Sequence, residues 1–316
     1  MKSERPILIV GPTAVGKSEL AVALALRVDG EIISADARAI YKDLNIGTAK
    51  PPAQLRAKVP HHLIDFLEPT EHYDVMQFRR DVLRAIQEIH ARGRVPIVVG
   101  GSTLYISALT GTFFAGPKAD PQIRQRLEAE PQEKLRKRLE EIDPEAAQRI
   151  HPHDKVRTVR ALEVYELTGL PISRWQKESK VPFPYKFTKI GLTLDRKILY
   201  ERINARVDQM IAAGLLEEAK ALRAKLTPEM PAYRTIGYEE FFAYLDGKIS
   251  YTEAVRLIKK HTREYAKRQI IYFKREPDVH WIDVTGKSRE EVLDEALTPD
   301  PTPPGEPRER GARRAG

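Results

Sequence analysis

The chain has 316 residues, 41% hydrophobic and 31% charged, a balance that belongs to a soluble globular protein with material for one large core or two ordinary ones. It contains no cysteine, which excludes disulfides and thiolate metal sites and makes the cytoplasm the simplest location. No apolar run approaches the ~18 residues of a membrane span, and the net charge of +8 suits either a nucleic-acid partner or mere solubility.

Pro6-Ile-Leu-Ile-Val10 reads as a first strand, so the chain enters a core element at once and shows no signal peptide. Gly11, Pro12, Thr13, Ala14, Val15, Gly16, Lys17 and Ser18 follow, and then the helix-forming run Glu19-Leu-Ala-Val-Ala-Leu-Ala-Leu26. Strand, glycine loop and helix are the context in which the pattern G-x-x-x-x-G-K-[ST] cradles phosphates. Glycine at 11 and 16 lets successive N–H groups face one concavity, backed by the positive end of the helix. Lys17 adds a mobile charge, and the Ser18 hydroxyl is placed to ligate Mg²⁺. A di- or triphosphate ligand is expected.

Glu31-Ile-Ile-Ser34 reads as a second strand ending at Ala35-Asp36, and His62-Leu-Ile-Asp65 as a third. Residues 78–92 form a helix stopped by Gly93, and Val95-Pro-Ile-Val-Val99 is a fourth strand running into Gly100-Gly101-Ser102. Such alternation predicts an α/β fold, a P-loop-type, mostly parallel sheet with helices on both faces. Loop 11–18, Asp36 and residues 100–102 then meet at the carboxyl ends of the strands.

From about Pro117 the chain becomes helical and charged, with helices at 124–130, 132–142 and 154–168. Residues 118–185 are read as a helical insertion domain, and 1–117 with 186–298 as the catalytic core. The chain returns to the sheet over 186–193, followed by helices at 197–213 and 215–225. Ser250-Tyr-Thr-Glu253 is a capping box opening a helix near 251–274, and Val279-His-Trp-Ile282 is a last strand. Residues 299–316, rich in proline and charge, are expected to be disordered.

On the helix from 251, Arg256, Lys260, Arg263, Lys267 and Lys274 share one stripe, with Val255, Ile258, Tyr265 and Tyr272 nearly opposite. A phosphodiester track is favoured over a plain solvated face. Phosphoryl-transfer enzymes with this loop commonly end a second apolar strand in an aspartate. Here that strand runs into Gly-Gly-Ser, and the strand-end acid is Asp36. Asp36 is either a general base or a turn and helix-capping residue. His61, His62, His151 and His153 are assigned to packing or RNA contact rather than to zinc.

The chain resembles the tRNA dimethylallyltransferase (tRNA isopentenyltransferase) family from about residue 6 to 283. The resemblance rests on Gly-Pro-Thr-Ala-Val-Gly-Lys-Ser (11–18), Ile-Gly-Thr-Ala-Lys-Pro (46–51), Pro-His-His-Leu-Ile-Asp (60–65) and Val-Gly-Gly-Ser-Thr-Leu-Tyr (99–105). It continues through Arg-Ile-His-Pro-His-Asp (149–154), Arg-Ala-Leu-Glu-Val-Tyr (160–165), Ile-Gly-Tyr-Glu-Glu-Phe (236–241) and Thr-Arg-Glu-Tyr-Ala-Lys-Arg-Gln (262–269). Where the family commonly has Asp-Ser, this chain has Asp36-Ala37, and Gly-Gly-Thr is replaced by Gly-Gly-Ser at 100–102.

The resemblance implies transfer of a dimethylallyl group from its diphosphate to N6 of the adenosine 3′ of the anticodon in tRNA. It implies that loop 11–18 holds the leaving diphosphate with Arg234, that Thr13, Lys17 and Mg²⁺ on Ser18 offset its charge, and that Asp36 accepts the amine proton. It also places Asp36, Ala37, Arg38, Ala39, Ser102, Arg124, Val156, Arg157, Thr158, Val159, Arg160, Arg263, Lys267 and Arg268 along the tRNA anticodon stem-loop. The alternative is a small-molecule or nucleoside kinase binding ATP, disfavoured by the missing strand-end aspartate and the basic second half. A prenyltransferase acting on free AMP would have little need of the basic helix, and a non-catalytic RNA-binding module little need of Asp36. A monomer is expected, because no segment carries an unexplained apolar stripe.

Overall fold

The computed structural model describes residues 5–114, 116–178 and 180–298; the expected disordered tail, 299–316, lies outside the described residues. The core opens with β1 (Ile7–Val10), α1 (Lys17–Val28), β2 (Gly30–Ala35), α2 (Ala53–Arg56), β3 (His61–His62), α3 (Val75–Ala91), β4 (Val95–Gly100) and α4 (Thr103–Thr110). Next come β5 (Thr112–Phe114), α5 (Pro121–Ala129), α6 (Gln132–Ile142), α7 (Pro144–Arg149), α8 (Lys155–Thr168), α9 (Ile172–Glu178) and β6 (Lys180–Pro182). The chain then runs through β7 (Thr188–Thr193), α10 (Arg196–Ala212), α11 (Leu215–Arg223), α12 (Tyr238–Leu245), α13 (Tyr251–Phe273), β8 (Val279–Asp283) and α14 (Arg289–Leu297).

Six strands form one parallel sheet in the order β3-β2-β4-β1-β7-β8. β1 lies between β4 and β7, with Ile9 opposite both Val99 and Ile190. Its side chains are buried because a strand covered on both faces must be apolar throughout. The chain leaves β1 for β2 through α1, then reverses to β4 through α3. Right-handed crossovers running in opposite directions place α1 and α3 on opposite faces. α1, α10 and α14 close a core with Ile9, Ile97 and Ile190, while α3 buries Phe78, Val82, Ile86 and Ile89. The α/β class and parallel sheet match expectation.

The third strand is shorter than the predicted 62–65. Leu63 and Asp65 take left-handed backbone angles, φ 57° and 59°, which no parallel ladder accommodates. Asp65 instead receives Lys50 Nζ at 2.6 Å and Arg56 at 3.2 Å.

Ser107–Pro184 forms a compact unit of its own, against the expected span of 118–185. Its ends meet in the antiparallel pair of β5 and β6, and Leu127, Leu135, Leu139 and Leu162 fill its centre. Aspartates 120, 143 and 154 cap its helices, each carboxylate accepting N–H groups of the first turn. The predicted helix at 124–130 starts at Pro121, because Asp120 caps it and proline suits the first helical position.

Candidate active site

The loop between β1 and α1 is built on backbone that only small residues allow. Gly11 has φ +146° and lies so close to β7 that a Cβ would sit 2.6 Å from the Leu192 carbonyl oxygen. Gly16, at φ +105°, opens on free space: a Cβ there would meet nothing within 4 Å. Ala14 between them is also left-handed, at φ 65°. The loop therefore leads straight into α1, whose Lys17 and Ser18 line a cavity of about 880 Å³.

Asp36 lines the same cavity, one residue beyond β2. Its Oδ1 accepts the N–H groups of Arg38 at 2.8 Å and Ala39 at 3.2 Å, which makes it a turn-forming residue. Its Oδ2 takes no hydrogen bond among the described residues. The Ser102 hydroxyl accepts the Ala37 N–H at 2.9 Å, joining this turn to the end of β4. β2 and β4 run so close here that a Cβ on Gly100 would lie 2.1 Å from the Ala35 oxygen.

Three contributors escaped sequence reasoning. Arg206 of α10 lines the cavity and makes no hydrogen bond or ion pair among the described residues. Its burial lowers its pKa, while Glu19 and Asp36 pull the other way. Gln269 of α13 is 1% exposed, accepts the Thr13 N–H at 2.8 Å and donates to the Gly101 oxygen at 2.8 Å. Tyr265, one turn earlier, has its phenol pushed up to about 12, chiefly by burial and further by Asp36. In sequence Tyr265 lies on the apolar side of its helix and Gln269 closes the motif at 262–269, while Arg206 is one basic residue on an amphipathic helix among many such.

Burial lowers the Lys17 ammonium to about 8, with Asp36 opposing and Arg206 reinforcing the shift. Lys17 donates to the Pro12 oxygen at 2.8 Å. Two half-buried cations and one acid thus face a single cavity, an arrangement suited to a polyanion. The hydroxyls of Thr13 and Ser18 and the Asp36 carboxylate supply hard oxygen donors, which fit Mg²⁺ rather than a softer metal. Among the described residues no cluster of three or more histidines or acids forms a metal site of its own.

The remaining sequence-derived positions are more scattered. Arg234 closes a 3₁₀ turn at Pro231–Arg234, is exposed and is not among the residues lining the cavity. That turn meets the site through Arg38, which donates to the Pro231 oxygen at 2.5 Å. Ala39 is buried beside the Asp36 turn and is among the residues lining the cavity. On α13, Lys260, Lys267 and Arg268 are exposed, with Arg268 5.8 Å from the Tyr265 ring, while Arg263 is half-buried and donates to Asn204. Arg256 is tied to Glu253, and Ser250 caps the helix through the Glu253 N–H.

Within the helical unit, Val156 and Arg157 are exposed but Thr158 and Val159 are buried. The latter two serve packing, since a helix shows a ligand only one side. Arg124 and Arg160 both bind the fully buried Glu163 carboxylate, at 3.1 and 2.7 Å. Of the histidines, His62 bonds Glu31 at 2.7 Å and His61 the Val59 oxygen at 2.8 Å. Burial alone would raise the Glu31 carboxyl, but hydrogen bonds from Arg92, His62 and Arg94 hold it at about 2.

A glycine loop opening the first helix of a parallel sheet, with Asp36 after β2 and Gly-Gly-Ser rather than an aspartate after β4, is the frame of a P-loop fold, and the relatives below make it a transferase. The IPP transferase family model matches residues 39–276, and that of isopentenyl transferase matches 5–68. The chain belongs to the IPP transferase family. It is 47% identical over 302 residues to a tRNA dimethylallyltransferase of Carboxydothermus hydrogenoformans, covering 94% of this chain and 97% of that protein. A relative with the same name in Thermotoga neapolitana is 47% identical over 90% of this chain and 94% of its own. The solved tRNA isopentenylpyrophosphate transferase of Bacillus halodurans is 41% identical, with a TM-score of 0.71 and coverage of 93% and 94%. A eukaryotic dimethylallyltransferase solved acting on tRNA superimposes with a TM-score of 0.78 at 31% identity, covering 94% of this chain and 79% of that one.

Proposed function

We propose that the protein transfers a dimethylallyl group from dimethylallyl diphosphate to N6 of the adenosine 3′ of the anticodon in tRNA. The observation that carries this reading is the shared cavity of Lys17, Arg206 and Asp36, in a chain whose relatives are named tRNA dimethylallyltransferases. Loop 11–18, Lys17 and Arg206 hold the diphosphate, with Arg234 a further candidate for it. Asp36 accepts a hydrogen bond from the adenine amine through its free Oδ2. The amine nitrogen bonds to the allylic carbon, the carbon–oxygen bond breaks toward the diphosphate, and the amine proton passes to Asp36.

Ser18, with Thr13 near it, is the residue that would hold Mg²⁺, whose charge helps neutralise the leaving diphosphate. An exocyclic amine is unreachable in a stacked loop, so the base must be extruded before it reacts. The exposed cations of α13 bind the anticodon stem-loop by its phosphates, and Arg124 and Arg160 of the helical unit, each held by Glu163, are further candidates for phosphate contact.

The test is direct. Protein, Mg²⁺ and dimethylallyl diphosphate are incubated with an anticodon stem-loop bearing adenosine 3′ of the anticodon, and the nucleosides are analysed by mass spectrometry. Prenylated adenosine is expected. ATP turnover without prenyl transfer would return the protein to the kinase reading.

A further inference from the structure

Gln269 sits where three segments distant in sequence converge. Its Oε1 accepts the N–H of Thr13, in the phosphate loop, at 2.8 Å, and its Nε2 donates to the oxygen of Gly101, just beyond β4, at 2.8 Å. The two bonds fix the amide's orientation, since neither survives if oxygen and nitrogen exchange places. The residue is 1% exposed, so water supplies neither partner. Gly101 is shaped to receive it: a Cβ there would lie 2.3 Å from Gln269 Nε2. Its φ is not left-handed, so it is space for the amide, and not backbone conformation, that excludes a side chain. Tyr265, one helical turn away on the same face, also reaches the Gly101 oxygen, at 3.4 Å.

The chain of bonds continues past Gly101. Its neighbour Ser102 holds the Ala37 N–H at 2.9 Å, and Ala37 follows Asp36 directly. Thr13, Gln269, Gly101, Ser102 and Ala37 thus make a continuous brace from the phosphate loop to the acid.

We infer that Gln269 is a positioning residue that sets the distance between the diphosphate-holding loop and Asp36. The inference rests on the prenyl-transfer reading, in which the reacting carbon is attached to the group held by the loop and the nucleophile is oriented by Asp36. Binding of either substrate alone does not depend on that spacing; the bond-forming step does, and a misplacement of about 1 Å can cost ~10²-fold in rate.

The experiment measures kcat, KM for dimethylallyl diphosphate and Kd for the anticodon stem-loop in the full-length protein. Gln269→Leu removes the amide at nearly constant volume, and should lower kcat at least ~10-fold while KM and Kd stay within about threefold. Gly101→Ala pushes a methyl group onto the amide and should do the same. In Gln269→Ala that methyl group has room, so Gly101→Ala/Gln269→Ala should be no slower than Gln269→Ala alone, a non-additivity expected of two residues acting through one contact. Additive losses, an unchanged kcat in Gln269→Leu, or KM and Kd rising in step with lost thermal stability would overturn the inference. Absence of prenyl transfer by the unsubstituted protein would instead overturn the function it rests on.

Discussion

The Ser102 hydroxyl accepts the Ala37 N–H at 2.9 Å, so the end of β4 holds the turn that presents Asp36. Ala37, directly after the acid, carries no hydroxyl. The structure shows the turn secured without it, by Ser102 from outside and by the Asp36 carboxylate from within. Ser102→Ala should therefore leave the Ala37 N–H without its partner and lower kcat by about fivefold, the effect of one lost hydrogen bond of roughly 1 kcal/mol. KM for the diphosphate should hold steady. An unaltered kcat would mean that the carboxylate's own two bonds suffice.

Asp36→Asn keeps an acceptor for the Arg38 and Ala39 N–H groups but removes the base. Turnover should fall by ~10²-fold or more while stem-loop affinity changes little. Parallel losses in rate and affinity would reduce Asp36 to a turn residue.

Lys17 makes diphosphate binding pH-dependent. Burial first, then Arg206, lower its ammonium from 10.5 to about 8 against the pull of Asp36. The cation is complete below that value and is lost as pH rises through it, so pyrophosphate affinity should weaken above about pH 8. Isothermal titration calorimetry from pH 7 to 9.5 would show the decline, and Lys17→Arg, charged throughout, should flatten it. Folding runs the other way. The unfolded chain keeps this proton up to about 10.5, so stability from this group rises with pH between about 8 and 10.5. A pyrophosphate affinity that is level across pH 8 would remove Lys17 from the anion site.

Arg206 is a half-buried cation without an ion-pair partner among the described residues, a costly arrangement unless a ligand supplies the anion. Arg206→Leu should raise KM for dimethylallyl diphosphate at least ~10-fold, the scale of a charge-assisted hydrogen bond. Stem-loop affinity should be unchanged. A gain in thermal stability without loss of diphosphate affinity would identify the guanidinium as a structural burden only.

The cations of α13 differ in how free they are. Arg263 is engaged with Asn204 and Lys260 lies 3.9 Å from Glu264, while Lys267 is exposed. Neutralising all three should reduce the slope of log K against log salt for the stem-loop by about 2, at ~0.7–0.9 per phosphate contact. If the slope keeps its value, this helix face belongs to solvent.

Local chemistry made much of this protein legible in its sequence. The glycines at 11 and 16, the lysine between loop and helix, the apolar runs at 7–10 and 95–99 and the acid after β2 act through neighbours a few residues away. Strand, loop and helix are decided at that range, and alternation of the elements was enough to predict a parallel sheet. Where short-range signals conflicted with backbone conformation, as at Leu63 and Asp65, the expected strand failed.

Tertiary structure alone decided which distant residues share the cavity. Arg206 comes from a helix that looks, in sequence, like other amphipathic helices, and Gln269, on the basic helix, lies 256 residues from its partner Thr13. Burial of Thr158 and Val159 and the pairing of Arg124 and Arg160 on Glu163 were likewise hidden. The reason is physical: residue type and spacing determine which way a side chain points along its own element, whereas what it meets there depends on packing between elements far apart in the chain.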